Sequence, residues 1–92
     1  MKMMHWEQLQ EELDRQVPKI GEEIGIQVVI HATPLSHIYE RYIRVDTHHK
    51  LARLSVQLDT FFFELLPYEH WSTYIRGKLL ELYYTMSERE KQ

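Results

Sequence analysis

No cysteine occurs among the 92 residues, so no disulfide can brace the fold. Secreted domains of this size ordinarily need such braces because their cores are thin, and a reducing, cytoplasmic location is therefore expected. Glycine and proline are also scarce, three of each. Nothing resembles a Gly/Ser/Pro-rich linker, and the whole of 1–92 reads as one domain. A phosphate-cradling loop is excluded too, since Gly21 and Gly25 are not followed by the Lys-Ser/Thr pair that such loops require. The most apolar run, Phe61 to Leu66, is far shorter than the roughly 20 residues needed to cross a bilayer. Met1 to Glu7 lacks the apolar stretch of a signal peptide. No membrane partner is expected.

A strong basic footprint is missing as well. Eleven Lys and Arg stand against fourteen Asp and Glu, a net charge of −3. The charge is nevertheless uneven. Residues 1–24 carry six acidic and three basic side chains, whereas 25–58 carry Arg41, Arg44, Lys50 and Arg53 against Glu40 and Asp46 alone. Such a basic middle between acidic ends is either a binding patch or charge matching between neighbouring elements. Of the eleven aromatics six are tyrosine, a residue suited to half-wet surfaces, which adds weight to partner contact.

The two ends are helical by periodicity. Trp6, Leu9, Leu13, Val17, Ile20 and Ile24 recur every three or four residues, with Glu11, Arg15, Lys19 and Glu22 off that face. Pro18 should kink or restart this helix without changing the inward face, and Gly25 is placed to stop it in the left-handed conformation. Near the other end Trp71, Tyr74, Ile75, Leu79, Leu82 and Met86 share a face, preceded by Pro67 and a cap at Ser72 or within 68–70. Gly77 inside this helix costs about 1 kcal/mol against alanine, so it is read as a mark of close packing. Residues 87–92 should fray.

Between them, Ile26 to Ala32 is short and β-branched and reads as a strand that Thr33-Pro34-Leu35-Ser36 ends. Residues 38–66 fit two templates. As helices, Leu51, Leu54, Leu58, Phe61 and Leu65 share a face, giving a mainly α fold of four to five short helices with one lone strand. As strands, 38–45 runs to a turn at Asp46-Thr47-His48-His49, and Ala52 to Phe62 then alternates without a break. A lone strand at 26–32 would have no hydrogen-bond partners, and Ile38 to Val45 is rich in mediocre helix formers, so the strand reading is preferred. The expected fold is α+β: helix, three antiparallel strands, helix, with two helices on one face of a small sheet. Ile26, Val28, Ile30, Ile43 and Val45 should meet the helices, along with Leu54, Val56 and Leu58. The opposite face, carrying Gln27, Val29, Glu40 and Ser55 beside His31, Tyr42, Arg44, Arg53 and Gln57, should lie open.

Catalytic chemistry finds little support. No serine has a nucleophile-elbow context, and the paired carboxylates Glu11-Glu12 and Glu22-Glu23 belong to a solvated helix face. The six histidines, His5, His31, His37, His48, His49 and His70, show no repeated ligand spacing across two elements; neither a metal nor another cofactor is expected. What remains is a non-enzymatic protein-interaction or regulatory module, self-associating as a homodimer or docking another protein through the open sheet face or a strand edge. The Phe61-Phe62-Phe63 and Tyr83-Tyr84 clusters, too large for one thin core, favour it. The alternative is nucleic acid on the same face, with Tyr42 stacking bases and Arg44 and Arg53 meeting phosphates. The binding residues are His31, Tyr42, Arg44, Arg53 and Gln57 on either reading.

Overall fold

The computed structural model describes residues 6–31, 42–49 and 52–90. Helix α1 (Trp6–Ile24) is followed by strands β1 (Val29–His31), β2 (Tyr42–His49) and β3 (Ala52–Asp59). A short helix α2 (Thr60–Leu65), a 3₁₀ turn (Tyr68–His70) and the long helix α3 (Trp71–Glu90) complete the chain. The strands form one antiparallel sheet in the order β1-β2-β3. The fold is α+β, as the periodicities indicated.

Helix α1 passes through Pro18 as a single helix and buries Leu9, Leu13, Val17 and Ile20. Gly25 ends it at φ 104, where a Cβ would be strained, and the amides of Gly25 and Ile26 both donate to the Gly21 carbonyl. Helix α3 buries Trp71, Ile75, Leu79 and Leu82 on its expected face and stays helical through residues 87–90, four of the six expected to fray. Ile43 and Val45 of β2 and Leu54 and Leu58 of β3 meet these two helices in one core, with Ile26 and Phe63 at its margins. At about 25 cal/mol per Å² of apolar surface, each fully buried Leu or Ile adds roughly 1.5–3 kcal/mol. Both long helices therefore lie on the same side of the sheet, and no element among the described residues covers its other side.

Several expectations are corrected. The turn expected at Asp46-Thr47-His48-His49 is strand instead, because β2 runs on to His49, which pairs with Ala52. Residue preference pointed to a turn, but Val45 and Thr47 are buried on the core side and Leu54 sits opposite Thr47, so burial extends the strand. β1 is shorter than 26–32: Ile26 is buried in the coil that leads to it. The alternation through Thr60 and Phe62 stops at Asp59, whose side chain accepts from the Phe61 amide at 2.9 Å and starts α2. The preferred strand reading contains neither α2 nor the 3₁₀ turn; Phe61 and Leu65 are helical only in its alternative. Gly77 is exposed, with nothing within 4 Å of where a Cβ would stand, so it marks no close packing. The tight glycine is Gly21, where a Cβ would lie 3.1 Å from both the Ile26 carbonyl oxygen and Val28 Cγ2. The break at 33–36, the strand residues 38–41 with Glu40, and His5 and His37 lie outside the described residues. Among the described residues, no helix is long and apolar enough to cross a membrane.

Candidate binding face

In an antiparallel sheet, residues directly opposite one another share a face, so the register defines what lines the open side. Three rows cross it. His31, Arg44 and Gln57 form one; Val29, Asp46 and Ser55 form the next; His48 and Arg53 form the third. Tyr42 stands beyond the first row, opposite Asp59. All five residues expected on this face are on it, and they fall into two groups. His31, Arg44 and Arg53 converge on a common centre, while Tyr42 and Gln57 flank it.

That centre is Asp46, which the turn reading had removed from the sheet. It sits on the middle strand with only 1% of its surface exposed. The Ser55 hydroxyl, directly across the strand pair, donates to its Oδ1 at 2.5 Å. His31 Nε2 lies 2.8 Å from Oδ2, Arg44 Nε 3.0 Å from Oδ1 and Arg53 Nε 3.9 Å from Oδ2. Among the described residues, no second layer covers this carboxylate. Burial alone would raise its proton affinity. The Ser55 hydrogen bond and the charges of Arg44, His31 and Arg53 outweigh that and hold the carboxyl below its ordinary range.

The charge count at this cluster is unequal. One carboxylate faces two guanidiniums and an imidazole, and Arg44 and Arg53 remain 41% and 56% exposed. Each arginine turns its Nε toward Asp46. A guanidinium carries five N–H donors. Among the described residues, the Nη groups of both arginines meet no acceptor. Both guanidiniums thus sit beside Asp46 as ion pairs, Arg44 Nε without a hydrogen bond, and their terminal donors meet no group among the described residues.

A second polar cluster lies on the helix side. Glu12 Oε2 accepts from Arg15 Nη2 at 2.5 Å, from Gln16 Nε2 at 2.8 Å and from the Tyr68 hydroxyl at 2.8 Å. The Gln16 hydrogen bond is the largest influence holding the Glu12 carboxyl below its ordinary range; Tyr68 and Arg15 add to it against a smaller effect of burial. The cleft of about 350 Å³ beside it is bordered by Lys19, Glu23, Ser72 and Arg76. There Arg76 donates to Glu23 at 2.6 Å. Here Arg15 and Arg76 are paired with Glu12 and Glu23, and the network ties α1 to the 3₁₀ turn and to α3.

Of the two aromatic clusters, Phe63 is buried against Trp71 and Tyr74, Tyr83 is half-buried, and Phe61, Phe62 and Tyr84 are exposed. Among the described residues, no three His, Asp or Glu side chains converge as metal ligands. No protein-family model matches the chain, and neither the curated proteins nor the solved structures contain a significant match to it.

Proposed function

We propose that this chain is a non-enzymatic protein-interaction module that docks its partner on the open face of the sheet, and that the chemistry it recognises is the side-chain carboxylate. The observation that carries the reading is the pair of arginines beside Asp46 whose Nη donors, among the described residues, meet no acceptor. Guanidinium forks of this kind match carboxylates in a bidentate geometry. Val29 and Tyr42, 52% and 45% exposed, supply apolar contact on either side. A regulatory role would follow from what the bound partner does. The absence of cysteine in so small a domain fits a cytoplasmic setting.

Nucleic acid is the second reading, favoured by Tyr42 beside the row of His31, Arg44 and Gln57. Against it, Asp46 repels a phosphate placed at the centre of the same cluster, and the chain as a whole carries −3. Fluorescence anisotropy with labelled polyglutamate and with single- and double-stranded oligonucleotides at low salt separates the two. The carboxylate reading expects polyglutamate to bind. The double variant Arg44→Gln/Arg53→Gln should weaken that binding by roughly 2- to 30-fold, given about 0.2–1 kcal/mol for each exposed charge pair. Oligonucleotide binding with no response to polyglutamate would overturn it in favour of the second reading.

A further inference from the structure

Helix α1 is built from two opposite stripes. Leu9, Leu13, Val17 and Ile20 point into the core. At 100° per residue the opposite pole is occupied by Glu11, Asp14, Pro18 and Glu22, all of them exposed. Among the described residues, none of these three carboxylates has an ion pair or hydrogen-bond partner, whereas Glu12 and Glu23 beside them are engaged by Arg15 and Arg76. The stripe is acidic along its length, and it points away from the sheet on the side opposite the arginine cluster. Among the described residues, the molecule thus carries unpaired carboxylates on its back and unpaired guanidinium donors on its front.

Arg44 and Arg53 lie in rows on either side of Asp46 and on neighbouring strands. Their Nε atoms converge on that carboxylate, 3.0 and 3.9 Å from its oxygens, so the two guanidiniums form one positive patch. Along a helix axis Glu11 and Asp14 are about 4.5 Å apart, close enough for both to meet that patch.

We infer that the occupant of the open sheet face is the outer stripe of α1 from a second copy of this chain. This rests on the docking reading above and names its partner. Because the two surfaces face opposite ways on one molecule, the contact is head-to-tail and leaves a free face and a free helix at the two ends of any assembly. Growth is then open-ended rather than closed at two copies. The contact is between exposed charges, so it is weak and screened by salt.

Light scattering at low salt tests this. The wild-type mass is expected to rise with concentration beyond two chains and to fall to the single-chain 11.3 kDa in about 0.5 M salt, where the Debye length is only a few ångströms. A face variant, Arg44→Glu/Arg53→Glu, and a helix variant, Glu11→Lys/Glu22→Lys, should each remain single chains. Mixed with each other, the two variants should associate although neither does so alone, because the face variant's acidic stripe meets the helix variant's intact arginines; mixed with wild type, each should cap growth and lower the mean mass. Circular dichroism checks that both variants fold, and Arg44→Gln/Arg53→Gln repeats the face test should charge reversal beside Asp46 unfold the chain. A wild type that stays at 11.3 kDa at every concentration while still binding polyglutamate overturns the inference and leaves the docking reading standing. Loss of polyglutamate binding as well overturns both. Growth that stops at two copies, or that survives either variant, refutes the head-to-tail contact.

Discussion

Replacing Asp46 with asparagine removes one negative charge and almost no volume, which makes it a direct probe of the open face. Asparagine retains a carbonyl that can accept from Ser55, so the loss there is the difference between a charged and a neutral hydrogen bond, about 1 kcal/mol. The attraction to Arg44, His31 and Arg53 is lost too. Those partners are largely exposed, so solvent limits this contribution to about 1 kcal/mol in all. The expected destabilisation is about 2 kcal/mol, or a Tm lower by roughly 8–16 °C for a domain of this size. Urea denaturation followed by tryptophan fluorescence reads it directly. The dependence on pH gives an independent check. A carboxyl held below its ordinary range stabilises the fold above the unfolded value of about 3.9, and that stability is lost as pH falls through the folded value. The gap between wild type and Asp46→Asn should be fully present at neutral pH and should close in acid below about pH 4. A difference under about 0.5 kcal/mol at neutral pH, or a gap of the same size in strong acid, would refute the idea of a charged, load-sharing centre.

Three further substitutions test the packing. Gly77→Ala should stabilise the protein by about 0.5–1 kcal/mol, because the site is helical with open space around it, whereas Gly21→Ala should destabilise it by about 1–3 kcal/mol through contact with the Ile26 carbonyl; thermal melts of both check this contrast. Thr47→Val removes the hydroxyl that donates to the Gln27 carbonyl at 2.6 Å from a nearly buried position, and equilibrium denaturation should show a loss of about 1 kcal/mol.

Both long helices were legible because their apolar residues recur at intervals that only a helix brings onto one face, and burial followed that face in each case. The choice of strands over helices for the middle rested on backbone hydrogen bonding, since Val29 to His31 must pair with something, and β2 is what it pairs with. The alternation of side chains then identified the open face and the five residues on it. Local preference failed where a residue type had two uses. Asp46 reads as a turn former and Asp59 as one more member of an alternating strand, yet the first sits at mid-strand and the second caps a helix.

What the amino-acid order determined by itself is which residues face inward, because that depends only on spacing along the chain. The charge cluster was decided by tertiary structure alone. His31, Asp46 and Arg53 come from three different strands, and only the registers that pair Val29 with Asp46 and Asp46 with Ser55 bring them together. Once assembled, a carboxylate in that position is shielded from water and surrounded by positive charge, and it is these neighbours, none of them adjacent in sequence, that keep it ionised.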